Sequence, residues 1–286
     1  MTLHVAFGLS IRSSLRLPEL APGRARPDVI VRAREGPDRA RSSSFSAVHI
    51  SWRGVGTFHV RGGREILVDP APGADSRVVR LFLLGPALAV LLRQRGLLVL
   101  HASGVSLKDG AALFSGPSGS GKSSLAAVFH QRGHQVAADD VVALEVKQDT
   151  SLVLPAIPQL KLWPDTATAL GDDIRTLPRL NPSFEKRARP VTERFTSSPT
   201  PLRRIYMLAD GPTPAIEPLS PREALVELLR HSYGARTLQA IRTAEHFRQC
   251  ARVAAEIPVA RLRFPRSFTL LDRVARLVEE DCGHAP

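Results

Sequence analysis

Apolar residues recur at every second position near the start of the chain, at Val5, Phe7, Leu9 and Ile11. The same period returns at Phe58 and Val60, and again at Ile66 and Val68 beyond a Gly62-Gly63 turn. Alternation of this kind belongs to strands that bury one face. Residues 28–32 and 48–52 read as further strands, and the charged, small-residue stretch over 32–44 reads as a loop. The pattern predicts a β-rich module over residues 1–76, an antiparallel sheet with no catalytic constellation of its own. His4, His49 and His59 lie in it without accompanying ligand groups, so they read as structural or surface residues.

Past residue 76 the period changes. Residues 77–95 predict one or two helices, with Pro86 tolerated at a helix start. Residues 97–100 and 111–115 are short apolar runs of buried-strand type, 122–131 is a helix with Gly133 at its C-terminal stop, and 135–138 and 141–146 return to strand. Residues 203–208 and 262–265 are strands, 221–230 and 237–252 are helices, and a last helix runs through 280, with Ser220 and Ser267 as N-caps. Strands interleaved with helices predict an α/β domain over residues 77–286. Two stretches are less regular. Lys161 and Trp163 alternate with apolar residues, so one face could line a site, although Trp163 reads as core. Residues 172–195 are polar, punctuated by prolines, and carry the run Glu185-Lys186-Arg187-Ala188-Arg189, by default a solvated face. No internal repeat or coiled-coil period is visible.

The strongest chemical signal is Gly116-Pro117-Ser118-Gly119-Ser120-Gly121-Lys122-Ser123, which fits G-x-x-x-x-G-K-[ST] at every fixed position. Glycines let successive backbone N–H groups curl around a phosphate without Cβ clashes. Lys122 can reach the outer phosphates, the Ser123 hydroxyl can ligate Mg²⁺, and the following helix, starting at Lys122 with Ser124 in its first turn, aims its positive end at the same anion. The strand before the loop and the helix after it are the context that separates a phosphate cradle (Gly116, Ser118, Gly119, Ser120, Gly121, Lys122, Ser123 and Ser124) from a surface turn of the same composition. Downstream, residues 135–138 deliver Asp139 and Asp140 at a strand's carboxyl end, where ligands sit in open α/β sheets. Adjacent carboxylates on an extended chain point to opposite sides. One would serve Mg²⁺ and the other an incoming hydroxyl, and adjacency leaves open which does which.

The combination of His101 in LHASGV, the phosphate loop and RGHQVAADD resembles the catalytic domain of HPr kinase/phosphorylase. It is more similar to the HPr-kinase-related kinases, including those encoded beside lasso-peptide precursors. FGLSIRS at 7–13, LLGPALAVLLRQRGLLVLHAS at 83–103 and PQLKLWPD at 158–165 extend the resemblance over most of the chain. It implies an ATP- and Mg²⁺-dependent serine kinase with a P-loop nucleotide-binding core behind the β-rich module. It also implies Asp139 as base assisted by His101, Asp140 and Ser123 on the metal side, and Lys186 and Arg187 near the phosphates or the acceptor. PQLKLWPD stands where HPr kinase carries a glycine-containing signature motif, so dephosphorylating activity is not implied.

Composition narrows the partners. A chain of 286 residues, 43% hydrophobic and 23% charged, has the make-up of a soluble globular protein. The net charge is +12, but 34 of the 39 basic residues are arginine, a bias that also follows coding composition. A basic surface favours acidic peptides or nucleotides, and no nucleic-acid module is recognised. Cys250 and Cys282 have no ligand spacing and suit a reducing cytoplasm. Met1 to Leu9 lacks the make-up of a signal peptide, and the most apolar run, 81–92, is too short for a membrane span. The expected partner is a peptide or small-protein acceptor, with self-association left open. A small-metabolite kinase and a P-loop ATPase without acceptor remain alternatives; an N-K-x-D guanine reader is not apparent.

Overall fold

The computed structural model describes residues 1–23, 25–34, 47–234 and 244–283. Seven strands form the first sheet: β1 (Thr2–Ala6), β2 (Leu9–Ser13), β3 (Ala21–Pro22), β4 (Val29–Ala33), β5 (Ala47–Trp52), β6 (Gly56–Arg61) and β7 (Glu65–Pro70). Their order is β3-β1-β2-β4-β7-β6-β5. The sheet is mixed rather than antiparallel throughout, because β4 lies parallel to both β2 and β7. Nor is the alternation over residues 5–11 a single strand. It folds back at Phe7-Gly8, where both φ angles are positive, 54° and 69°, the turn whose twist matches a two-residue hairpin. Glycine adopts that region freely, while a phenylalanine there is strained. Burial accounts for the choice. Phe7 is 2% exposed and its amide donates to Pro155 O at 2.7 Å, so the hairpin tip wedges into the rest of the chain.

A helical layer follows: α1 (Ser76–Phe82), a wide π-type turn over Leu83–Ala87, and α2 (Leu88–Gln94). Pro86 sits inside the turn, where the wider loop accommodates a residue that lacks an N–H donor.

The second sheet begins with β8 (Leu98–Leu100), β9 (Ala102–Leu107) and β10 (Gly110–Ser115). After α3 (Lys122–Gln131) come β11 (Gln135–Asp139), β12 (Val142–Val146) and β13 (Ser151–Val153). Then follow β14 (Gln159–Leu162), α4 (Pro164–Ala169), β15 (Arg179–Asn181), β16 (Phe184–Pro190), β17 (Thr200–Asp210) and β18 (Ala215–Pro218). The chain ends with α5 (Pro221–His231), α6 (Ala244–Glu256), β19 (Val259–Phe264), a 3₁₀ turn (Phe268–Leu270) and α7 (Leu271–Gly283). The main path is β11-β9-β10-β17-β13-β12-β8, and β19 joins β17 with β18 on its far side. Side chains alternate across it. Ala111, Leu113, Ile205 and Met207 belong to one buried cluster, Ala112, Phe114, Tyr206 and Leu208 to the other, as the pleat requires. The first cluster also holds α2 and the inner face of the first sheet, including Phe58, Val60, Ile66 and Val68. α3 and α7 pack in the second cluster.

Three further features depart from the sequence expectation. Residues 172–195, read as a solvated charged segment, contain β15 and β16, which pair with β14 in a separate three-stranded sheet. β9 closes a hairpin onto β10 through the two residues Lys108-Asp109, with Gly110 opening the returning strand opposite Leu107, a turn that lay unread between two apolar runs. The last helix is preceded by a 3₁₀ turn, and Ser267 caps neither, its hydroxyl meeting Thr269 Oγ1 at 2.8 Å. The Ser220 cap forms, as a full capping box with Glu223. Of the helix expected over 237–252, residues 237–243 lie outside the described residues. Among the described residues no helix is long and apolar enough to cross a membrane.

Candidate active site

β10 ends at Ser115 and α3 begins at Lys122, with the glycine loop between them. The loop needs its glycines: Gly116, Gly119 and Gly121 have φ of 150°, 81° and 96°. A Cβ on Gly116 would meet Ser120 Oγ at 3.0 Å and Leu208 O at 3.1 Å. Gly121 is the left-handed N-cap of α3, and it offers no side-chain oxygen to the helix's first amides. Those amides therefore stay free to face an anion. Ser120 Oγ is buried with no partner, a second group that a phosphate oxygen would satisfy. Lys122 is only 7% exposed, and its ammonium donates to Gly116 O and Pro117 O at 2.9 and 2.8 Å. Burial pulls its pKa down to about 8, against the opposing pull of Asp139 and Asp140. These features fit a phosphate chain.

Asp139 and Asp140 part company because the backbone turns between them. Asp140 has φ of 72°, and the Val141 amide donates to Asp139 O at 2.9 Å, closing a three-residue turn. The extended geometry expected from sequence is thus replaced by a strained turn, a device common at functional sites. Asp139 is buried, and its Oδ1 accepts from Ser123 Oγ at 2.8 Å and from Ser103 Oγ at 2.6 Å. Its Oδ2 accepts from the Lys161 amide at 2.7 Å. Burial raises its pKa, although these three donors oppose the shift. Asp140 stays 23% exposed at the side chain, with Oδ2 on Lys161 Nζ at 2.5 Å and Oδ1 on His101 Nδ1 at 3.1 Å. Burial alone would raise this carboxyl, but the Lys161 charge and His101 outweigh it and hold it well below the ordinary range. Tyr233 stands edge-on to the His101 ring, centroids 5.8 Å apart.

The expected residues therefore converge, but the pairs are crossed relative to the reading from resemblance: Ser123 joins Asp139, and His101 joins Asp140. Each would answer to the metal-side and hydroxyl-side roles of a phosphoryl-transfer site. The Ser123–Asp139 pair offers two hard oxygen ligands. Mg²⁺ typically takes only one or two protein carboxylates, with phosphates and water completing its shell, so the donor set fits. Among the described residues no group of three or more His, Cys, Asp or Glu is placed to hold a metal ion by itself.

A cavity of about 390 Å³ opens above the loop, lined by residues 118–124 together with His101, Asp140, Lys161 and Lys186. Trp163, expected in the core, is 45% exposed on its rim, with Lys186 Nζ 5.5 Å from its ring centroid. Phe268, 43% exposed, stands on the same rim. Arg187 does not reach the cavity; it pairs with Glu185 at 3.1 Å. Sequence reasoning missed Ser103, Tyr233 and the double role of Lys161. One signal was available for the last. Of only five lysines in an arginine-rich chain, three (Lys122, Lys161 and Lys186) line this cavity. Arginine does not replace a compact ammonium where a point charge is needed.

No protein-family model and no curated protein sequence matches the chain. Among solved structures it is similar to the Hpr(Ser) kinase/phosphatase from Coxiella burnetii, at 14% identity and a TM-score of 0.34. That alignment covers 65% of this chain and 98% of that one. A likeness so loose decides nothing about activity, which has to be argued from the site.

Proposed function

We propose that the chain is an ATP- and Mg²⁺-dependent phosphotransferase acting on a hydroxyl, the acceptor being a serine of a peptide or small protein. The observation that carries this reading is the pairing of two carboxylates around one glycine loop. Asp139 is tied to the loop's Ser123, and Asp140, beside His101, opens on the same cavity. A nucleotide binder without an acceptor needs the first pair only.

Lys122 and the loop amides hold the outer phosphates. Ser123 and Asp139 would hold Mg²⁺, which would supply positive charge against the negative charge of the transferring group. Asp140 accepts a hydrogen bond from the acceptor hydroxyl and aligns it, while His101 fixes the carboxylate's orientation. A carboxylate with so low a pKa orients more than it deprotonates, which suits a loose phosphoryl-transfer transition state. Lys186 reaches the transferring phosphoryl group or the acceptor, and Arg187 steadies its strand through Glu185.

The test is phosphate transfer from labelled ATP to serine peptides by Lys122→Ala, Asp139→Asn and Asp140→Asn. Lys122→Ala should cost about 10²-fold or more in rate, the usual effect of losing one preorganised donor. Asp139→Asn should weaken Mg²⁺ binding and raise the Mg²⁺ concentration needed for transfer, and Asp140→Asn should leave nucleotide binding intact while transfer falls by about 10²-fold. If Asp139→Asn spares nucleotide and metal binding but stops transfer, the two carboxylates hold the opposite roles. Phosphate release without any phosphorylated acceptor would instead make the chain a nucleotide hydrolase.

A further inference from the structure

A second and larger cavity, about 980 Å³, lies on the far side of Lys161. Its walls are the Phe7-Gly8 hairpin tip, residues 18–22, Leu81 and Leu84 of the helical layer, residues 178–180, and one face of the β14–β16 pair. That face can be traced residue by residue. In the antiparallel pair of β14 and β16, Gln159 opposes Pro190 and Lys161 opposes Ala188, and opposed residues share a face. Lys186 lies two positions along β16 from Ala188, on that same face. Gln159, Ala188 and Pro190 line the large cavity, Lys186 lines the phosphate cavity, and Lys161 lines both. One strip of sheet, roughly 13 Å from residue 186 to residue 190 at 3.3 Å per residue, thus leads from the phosphates into the large cavity. The Lys161 ammonium that holds Asp140 stands where the two meet.

We propose that this trough binds an extended apolar segment of the acceptor, the residues adjoining the reacting hydroxyl. The proposal rests on the phosphotransferase reading above and places the acceptor in the cleft that the first sheet completes.

The lining selects the ligand class. It is mostly aliphatic and proline-rich. The three arginines on its wall are each already paired with a carboxylate: Arg77 with Asp75, Arg80 with Glu19, Arg179 with Glu185. An acidic ligand therefore finds no free cation among them. Two oxygens in the lining have no partner. Thr196 is 3% exposed and its Oγ1 is unsatisfied, and Glu19 uses only Oε1, on Arg80. Buried polar atoms left unpaired are costly. Backbone N–H groups of an extended chain are donors of the right kind for both, spaced along its length while its side chains meet the apolar walls. A small polyhydroxylated metabolite would leave most of the aliphatic surface uncovered.

Binding and transfer are tested separately. Two fluorescent peptides ending in serine are titrated by anisotropy, one with a leucine- and valine-rich run before the serine and one with an aspartate- and glycine-rich run. The apolar peptide should bind the wild-type chain at least about tenfold more tightly. Leu81→Asp, a half-buried position on α1, and Thr196→Val, nearly isosteric, should each weaken it by about tenfold, one charge or one lost hydrogen bond in an apolar site. Affinity for a fluorescent ATP analogue should stay unchanged, and the melting temperature of Thr196→Val should hold or rise, since an unpaired buried hydroxyl is removed. Equal binding of the two peptides, absence of binding, or peptide affinity unmoved in both variants would overturn the assignment. Phosphorylation of a free hydroxy compound whose KM ignores both variants would overturn it too. Binding that depends on the trough but is never followed by transfer supports the trough and sinks the phosphotransferase reading, so the two fail apart.

Discussion

Lys122 carries a charge in a place that does not favour one. Its ammonium is buried against Gly116 O and Pro117 O, and its pKa falls from 10.5 to about 8 because water is excluded. The folded value lies below the unfolded one, so the charged form is the one the fold penalises. That penalty is present in full below about pH 8 and fades as pH rises toward 10.5. Lys122→Met should therefore raise the melting temperature at pH 7, by roughly 2–4 °C for each kcal/mol relieved in a chain of this size, and the gain should vanish near pH 10. Calorimetry at the two pH values checks it; an equal gain at both would mean that packing, not charge, was relieved. Phosphate bound in the loop restores the ammonium's ordinary preference for its proton. ATP affinity should accordingly fall about tenfold per pH unit above 8 in the wild type, and stay flat in Lys122→Met over the same range. Asp140 illustrates the same trade between stability and function. Its positive φ costs of order 1 kcal/mol, yet it aims the carboxylate at His101 and the open cavity.

At the level of elements, the loop works because α3 is preceded by an N-cap residue that no L-amino acid replaces freely. Gly121 has φ of 96° and only the Phe264 ring near its missing Cβ, at 3.8 Å. Gly121→Ala should thus lose about 1 kcal/mol through backbone strain rather than collision, and turn away the amides that face the phosphates. Nucleotide affinity should fall more than stability does, measured by titration and chemical denaturation on one preparation. α5 supplies the contrast. Its capping box joins Ser220 to Glu223, away from both cavities. Ser220→Ala should lower stability by about 1 kcal/mol and leave the KM for ATP unmoved; an altered KM would mean that α5 is coupled to the site.

Across the whole molecule, the first sheet, the helical layer and one face of the second sheet share a single buried cluster. Phe58 and Ile66 lie in it with Leu88, Leu91, Leu113 and Met207. Phe7 adds a direct backbone bond to Pro155. A boundary near residue 76 thus marks where one sheet ends, while the apolar packing continues across it. Shared burial makes unfolding cooperative. The intact chain should give one calorimetric transition with equal calorimetric and van't Hoff enthalpies, and residues 77–286 alone should expose the α2 layer and aggregate. Two separated transitions would show that the sheets are stabilised independently.

The phosphate loop, the acid pair, α3 and the N-terminal strands could be recognised along the chain because each is a local matter. Glycine spacing sets the backbone, a helix follows at once, and alternation needs only neighbours in sequence. Local period also misled, at Phe7 and over residues 172–195. In the first case a strained turn is held by burial against a residue some 150 positions away, and in the second a charged stretch becomes strand by pairing with β14. The partners of Asp139 and Asp140 were beyond sequence for the same reason. Ser103, Ser123 and Lys161 come from three separate elements, and which carboxylate each meets depends on strand register and on one positive φ. The trough is further still from any local signal. It exists only where β14 and β16 pair and where the first sheet packs against them, contacts between residues far apart in the chain. Chemistry that one continuous segment can build was written in the sequence; the pairing of groups across segments was decided by tertiary packing, which alone fixes distances between residues remote along the chain.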